Sequence, residues 1–132
     1  MDHPLVADFM TPVPATVEAT ETLRQAAQEM AEHDIGALVV RAGRRVVGVV
    51  TDRDLVVRGL AAGLGADATV QQVTSGQVVT VGHADLVEGA FDMMHAAGVS
   101  RVPVLDGDTL VGILTFGDLA IRRDPTIALV PW

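Results

Sequence analysis

The chain has 132 residues, of which 49% are hydrophobic and only 3% aromatic, and it carries 17 acidic and 9 basic side chains but no cysteine. This composition predicts one domain, or two small halves around an aliphatic core, and excludes disorder, disulfides and thiolate metal sites. The net charge of −8 disfavours nucleic acid and anionic lipid as partners, because both repel an acidic surface.

Two further features of the sequence point to a cytoplasmic protein that does not enter the membrane. No apolar run approaches the ~20 residues that a membrane-spanning helix needs. The N-terminus lacks the basic residues and the following apolar stretch of a signal peptide. A chain without cysteine also suits a reducing compartment.

The first half predicts, in chain order, a strand, a helix, two strands and a second helix. The strands are expected at residues 13–17, 37–40 and 46–50, and the second helix from residue 52 to about residue 60. The first helix is recognised from an apolar stripe at helical spacing, made of Leu23, Ala26, Ala27 and Met30. Gly36 lies where this helix should end, and Gly43 lies in the turn between the two strands.

The second half predicts the same elements in the same order. A strand is expected at residues 78–81, strands at 102–105 and 110–114, and a second helix at 116–122. Its first helix carries the stripe Val87, Ala90, Phe91 and Met94. Gly98 is expected to end that helix, as Gly36 does in the first half. A linker rich in glycine and alanine, residues 61–68, joins the halves.

The two halves are copies of one unit. A shift of 64 positions, since 112 − 48 = 64, aligns them without a gap: Val6 meets Val70, and Met30 meets Met94. We therefore expect an α+β (α/β) fold of two β-α-β-β-α repeats, 1–64 and 65–132. Each repeat has more apolar surface than it can cover alone, so the two should pack about a pseudo-two-fold axis.

Each repeat ends in the pattern Gly-apolar-apolar-Thr-x-x-Asp, which places Thr51 and Asp54 in the first copy and Thr115 and Asp118 in the second. The motif puts a hydroxyl and a carboxylate where a strand turns into a helix, and the N–H groups of a helix start favour an anion. Each half therefore has a candidate binding site for a sugar phosphate. The same pattern is also a capping box, which stabilises a helix start by ~1 kcal/mol without any ligand.

With these two motifs and the tract Gly98-Val99-Ser100-Arg101-Val102-Pro103-Val104, the chain resembles the cystathionine-beta-synthase (CBS) domain family. The pair of repeats resembles a Bateman module, over roughly residues 6–123. Among such modules it is similar to free-standing actinobacterial two-CBS proteins of the hypoxic response type. That type carries cysteines and this chain has none, so redox and thiol-metal behaviour is not carried over.

The resemblance implies regulation by an adenosine compound, of the AMP, ADP or ATP class, bound in clefts between the repeats. It implies that Asp54 and Asp118 hold ribose and that Thr51 and Thr115 touch phosphate. It also implies aliphatic adenine slots, which suit a purine face. The remaining candidates for the two sites are Val13, Thr16, Ala37 and Arg53 in the first half, and Val78, Thr80, Ser100, Arg101 and Pro103 in the second.

The two motifs differ in their middle residues. Two interpretations remain open for each of the residues Arg53, Phe116 and Arg101. Arg53 either meets a phosphate or is a solvated side chain at a helix start. Phe116 either shapes a purine slot or packs against the other repeat. Arg101, which precedes a strand, either reaches phosphate or pairs with nearby acidic groups.

No metal site and no catalytic constellation is expected. The four histidines, His3, His33, His83 and His95, show no metal-ligand spacing with a second histidine or with a carboxylate. The motif carboxylates have no base partner, so we expect no enzyme activity. The apolar tail, residues 127–132, ends in Trp132 and is expected to pack on the module or at a dimer contact, and the helices are expected to form a homodimer.

Three non-enzymatic functions compete on the sequence alone. The first is a regulatory sensor that binds an adenosine nucleotide and signals through an unidentified partner or through its dimer. The second is a dimeric scaffold, active in a stress response, with vestigial nucleotide sites. The third is a nucleic-acid binder, which the net charge of −8 disfavours.

Overall fold

The structure is a computed structural model that describes residues 3–12, 14–74 and 78–117. The chain forms two compact units. One consists of Pro14–Val79, and the other combines Met1–Val13 with the chain from Thr80 onward. The predicted α+β class is confirmed. The predicted order of strand, helix, strand and strand holds in both units, and the second helix follows in the first unit.

The first unit is a three-stranded sheet with helices. Strand β2 (Thr16–Glu18) is parallel to β3 (Ala37–Ala42), and β3 is antiparallel to β4 (Arg45–Thr51), so the sheet order is β2-β3-β4. The second helix begins as α-helix and continues in the wider π-helical geometry over the length that the sequence predicted. The bounds are β2 Thr16–Glu18, α1 Leu23–His33, β3 Ala37–Ala42, β4 Arg45–Thr51, α2 Asp52–Asp54 with its π-helical continuation Leu55–Leu60, and a 3-10 turn Val70–Gln72.

The second unit repeats this sheet and adds a short edge strand. Its sheet order is β1-β7-β6-β5, in which β5 and β6 are parallel and the other pairs antiparallel. A helix begins at Phe116, and its predicted continuation and the tail at residues 127–132 lie outside the described residues. The bounds are a 3-10 turn Val6–Asp8, β1 Thr11–Pro12, β5 Val81–Gly82, α3 Val87–Ala97, β6 Arg101–Asp106 and β7 Thr109–Thr115.

Aliphatic side chains form the cores, as the low aromatic content predicted. In the first unit the core joins the helical stripe to the strands and the 3-10 turn, through Ala26, Met30, Leu38, Val50 and Val70. The equivalent positions of the second unit are also buried, among them Met94, Val102, Val104 and Leu114. Burying each such side chain contributes roughly 1.5–3 kcal/mol, so both sheets are fixed against their helices.

The first helices of the two units end differently. Helix α3 ends at Gly98, which adopts the left-handed conformation with φ 69°, as predicted. Helix α1 ends at Asp34, which adopts the same conformation with φ 52°, so the expectation that Gly36 ends it was wrong. An aspartate tolerates this conformation better than most residues with a Cβ atom. Gly36 instead lies against Asp52, where a Cβ atom would be 3.0 Å from Oδ2.

The strands before the helices begin later than predicted. Strand β2 starts at Thr16, which lies opposite Val39, and Pro14 before it has no N–H to donate to a sheet. Strand β5 starts at Val81, which is the first residue to pair with β6. Val13, at the start of the first predicted strand, lies outside the described residues.

The N-terminal segments of the two sequence repeats bind to opposite units, which the sequence did not predict. Residues 4–12 dock on the second unit, where Val87 N donates to Pro4 O at 3.0 Å. Residues 66–72 dock on the first unit in the same way, where Leu23 N donates to Ala68 O at 2.9 Å. The compact units therefore have different boundaries from the sequence repeats, which remain the predicted domains.

Candidate functional site

The two motif threonines occupy equivalent places, at the end of the last strand of each sheet. Thr51 ends β4 and lies opposite Ala37, the first residue of β3. Thr115 ends β7 and lies opposite Arg101, the first residue of β6. Thr16, the first residue of β2, lies near the same end of the first sheet, two positions along from Ala37 in the pairing. The structure thus collects several predicted site residues at one end of each sheet.

In the first unit the motif forms a capping box. Thr51 N donates to Asp54 Oδ2 at 2.9 Å, and Asp54 N donates to Thr51 Oγ1 at 3.1 Å. The second carboxylate oxygen of Asp54 lies 3.9 Å from Arg58 Nε, in an ion pair that spans one helical turn. These contacts satisfy the helix start by themselves, as the capping interpretation of the motif predicted.

Asp52, which follows Thr51 in the motif, was not among the predicted site residues. Its Oδ1 accepts a hydrogen bond from Arg53 N at 2.8 Å, and its Oδ2 lies over Gly36. The Arg53 side chain itself is exposed. A carboxylate therefore occupies the surface at the start of this helix. The only sequence signal for this arrangement was the contrast between Asp52 here and Phe116 in the other repeat.

In the second unit the equivalent position is an open cavity of about 340 Å³. It is lined by Ser100, Arg101, Thr115, Phe116 and Gly117. Three of these residues were predicted for the second site, and their hydroxyl and guanidinium groups suit an oxyanion. The structure thus brings Ser100, Arg101 and Thr115 together around one space.

An aromatic stack forms one side of this cavity. The rings of Phe116 and Phe91 have centroids 4.7 Å apart and are stacked at an interplanar angle of 30°. The His95 ring is tilted towards Phe116 with a centroid distance of 6.5 Å. Phe91 and His95 both belong to α3 of the same unit, so Phe116 is anchored within its own unit while it lines the cavity. Of these residues, the sequence marked Phe91 as part of the helical stripe and Phe116 as a residue that either shapes a purine slot or packs against the other repeat.

Other predicted residues lie elsewhere. Thr80 lines a separate cavity of about 360 Å³ beside α3, with Asp85 and Met93. Val78 is half exposed and lines a cavity of about 550 Å³ in the first unit, with Val46 and Val47. Their role in a ligand site stays a prediction.

Two of the predicted site residues lie outside the described part of the chain, and a third is buried. Val13 and Asp118 lie outside the described residues. Pro103 is buried in β6 opposite Ile113, two positions beyond Arg101. The ribose contact predicted for Asp118 therefore stays a prediction.

One group of possible metal ligands lies on the surface of α1. Single ligand atoms of Glu29, Glu32 and His33 all lie within 4.8 Å of one another. His33 Nε2 is 3.2 Å from Glu29 Oε2, which is the ordinary spacing of a pair one helical turn apart. This cluster was not predicted from the sequence, in which no spacing between a histidine and a carboxylate indicated a metal site.

No helix within the described part of the chain is long and apolar enough to cross a membrane.

Comparison with known proteins gives consistent matches over most of the chain. A sequence profile of the CBS domain matches residues 6–59 and again residues 70–123. Hypoxic response protein 1 of Mycobacterium tuberculosis is 40% identical over 125 residues, covering 93% of this chain and 87% of that protein.

Two crystal structures resemble the present one. Hypoxic response protein I with two coordinated zinc ions gives a TM-score of 0.78 at 39% identity, covering 89% of this chain and 97% of that one. CBSX2 in complex with AMP gives a TM-score of 0.72 at 27% identity, covering 94% of this chain and 98% of that one.

Proposed function

The chain belongs to the CBS domain family as a tandem pair similar to the hypoxic response proteins, and we propose that it is a non-catalytic sensor of an adenosine nucleotide. In this proposal an AMP-, ADP- or ATP-class ligand binds at the motif end of a repeat. The signal then passes to an unidentified partner protein or through a homodimer in the cytoplasm, as part of a stress response.

The observation that carries the proposal is the cavity of about 340 Å³ around Thr115. Its volume lies at the lower end of the ~300–1,000 Å³ that ligand pockets span, which fits a mononucleotide better than a dinucleotide. Arg101 offers a fork of N–H donors to a phosphate, and the Ser100 hydroxyl adds a further donor. The relative CBSX2, which is similar over nearly the whole chain, was crystallised with AMP.

Signalling requires that the ligand prefer one arrangement of the protein over another. A homodimer would supply such an arrangement, and helix α2 with its continuation offers a surface for it. Val56, Val57 and Leu60 are 55%, 47% and 74% exposed there. Large apolar side chains exposed together on one helix favour a protein contact.

A second function, a dimeric scaffold with vestigial sites, is supported by the first motif. The capping box between Thr51 and Asp54 gives both residues a structural role without a ligand. The exposed apolar surface on α2 serves a scaffold as well as it serves a sensor. The two functions differ in one respect only, which is whether a nucleotide stabilises the protein.

Zinc is not part of this proposal, although the similar hypoxic response protein I was crystallised with two zinc ions. Structural zinc sites use cysteine and histidine ligands in a tetrahedron, and this chain has no cysteine. In the described residues the one cluster of three candidate ligands offers a single imidazole and two carboxylates, on Glu29, Glu32 and His33. The absence of a metal site therefore stays a prediction.

The test is a thermal-shift panel with AMP, ADP, ATP, S-adenosylmethionine and NAD on the wild type and on Asp54→Ala and Asp118→Ala. A ligand at ~100 times its dissociation constant adds ~2.7 kcal/mol to the unfolding free energy, which raises Tm by several degrees. The sensor predicts a shift with an adenosine nucleotide that one of the variants removes. The scaffold predicts no shift with any ligand, and that result would remove the sensor from consideration.

A further inference from the structure

The two repeats offer a matched comparison, because the same backbone frames both candidate sites. Asp52 N donates to Gly36 O at 3.0 Å, and Phe116 N donates to Ser100 O at 2.7 Å. The strand pairs that carry the threonines are also equivalent. The five described residues that line the second cavity, Ser100, Arg101, Thr115, Phe116 and Gly117, therefore correspond to Gly36, Ala37, Thr51, Asp52 and Arg53.

In the second repeat this frame holds a cation. Among the described residues, Arg101 is the one charged residue that lines the cavity. Within residues 3–12, 14–74 and 78–117, no carboxylate forms an ion pair with it. The Phe116 ring, which is stacked against Phe91, also lines this cavity. A guanidinium at the wall of such a cavity attracts a phosphate and repels a cationic ligand.

In the first repeat the same frame holds an anion. Ala37 stands where the second repeat has Arg101, so no guanidinium reaches the site from β3. The Asp52 carboxylate lies 3.0 Å from the place where a Cβ atom on Gly36 would be, and the Arg53 N–H fixes it at 2.8 Å. A phosphate that entered here would meet a carboxylate already in position, and the two like charges repel.

From this contrast we infer that the second repeat alone binds the phosphate of an adenosine nucleotide, through Arg101, and that the first repeat excludes phosphate with Asp52. This inference rests on the proposed function and narrows it. It assigns one phosphorylated adenosine to each chain. It also predicts that the second repeat binds AMP-class ligands more tightly than uncharged adenosine and the cationic S-adenosylmethionine.

The experiment is isothermal titration calorimetry of the full chain with AMP and with adenosine. The variants are Arg101→Ala, the conservative Arg101→Lys, and Arg53→Ala as the matched control from the first motif. Both arginine side chains are exposed, so their removal leaves the fold intact, and a thermal melt of each variant checks this. Hydrogen bonds to charged groups contribute enough that losing them weakens binding roughly 10- to 150-fold.

We expect one AMP per chain, tighter binding of AMP than of adenosine, and a loss of that preference in Arg101→Ala. Arg101→Lys should retain part of the preference, and Arg53→Ala should bind as the wild type does. Two AMP per chain, or a loss of binding in Arg53→Ala with none in Arg101→Ala, would overturn the inference and leave the proposed function standing. No binding of any adenosine nucleotide to the wild type would overturn both.

Discussion

The ends of the two sheets, at Thr51 in the first unit and at Thr115 in the second, have the same backbone hydrogen bonds but different side chains. One end carries the Asp52 carboxylate, and the other carries Arg101 beside an open cavity. A duplicated unit can thus keep its fold in both copies while the side chains at the two sheet ends differ. The comparison separates residues that hold the fold from residues that we infer select a ligand.

The largest expected effect concerns the cores, where the two units should behave alike. Leu38 and Leu114 are both fully buried, one in each sheet. Leu38→Ala and Leu114→Ala should each lower the unfolding free energy by about 2–5 kcal/mol, because each leaves a cavity. Urea denaturation measures this, with Leu60→Ala as the control, since Leu60 is 74% exposed. A cost below about 1 kcal/mol in either unit would show that its core is not packed as described.

The next effect tests the motif glycine of the second repeat. A Cβ atom on Gly112 would lie 2.6 Å from Met10 Sδ and 2.8 Å from Thr11 O, because β1 pairs with β7 at this point. Gly112→Ala should therefore destabilise the protein by about 1–3 kcal/mol. The control is Gly89→Ala in α3, where a Cβ atom meets nothing within 4 Å.

Since alanine favours a helix, Gly89→Ala should be neutral or stabilising, by up to about 1 kcal/mol. Equal thermal stability of the two alanine variants would contradict the docking of the N-terminal segment on the second unit.

A smaller effect tests the capping box of the first repeat. Thr51→Ala removes the oxygen that accepts the hydrogen bond from Asp54 N and should cost about 1 kcal/mol without any ligand. Thr51→Ser keeps that oxygen and should restore most of the stability. If both variants were as stable as the wild type in chemical denaturation, the cap would have no structural role at this site.

The smallest expected change in stability concerns the residues that end the first helices of the two units. Asp34 and Gly98 are equivalent and both adopt positive φ, 52° and 69°. Asp34→Gly should stabilise the protein by about 0.5–1 kcal/mol, because glycine has no steric penalty in this conformation, and Gly98→Ala should destabilise it by a similar amount. Thermal melts of the two variants should shift in opposite directions. Shifts in the same direction would argue against a shared left-handed end.

Much of the fold was predictable because the repeat made each element visible twice. The stripes around Met30 and Met94 and the β-branched strands gave the helices and sheets. The exchange of N-terminal segments was not predictable, since the bond from Val87 N to Pro4 O joins distant parts of the chain and leaves no local pattern. The end of α1 at Asp34 was missed because glycine is the usual residue in that conformation.

The threonines and Arg101 of the candidate site were predictable, because the motifs contain them. The asymmetry of the site was not predictable, because the position of the Asp52 carboxylate over Gly36 depends on side-chain geometry that spacing does not encode. The placement of Val78 in the first unit was likewise hidden, since the sequence repeat assigns it to the second half.

The most direct test of the account is a crystal structure of the full chain grown with AMP at saturating concentration. The account predicts one AMP per chain, with its phosphate beside the Arg101 guanidinium in the second unit and no nucleotide density over Gly36. A phosphate bound at the first motif beside Arg53, with the second cavity empty, would contradict it.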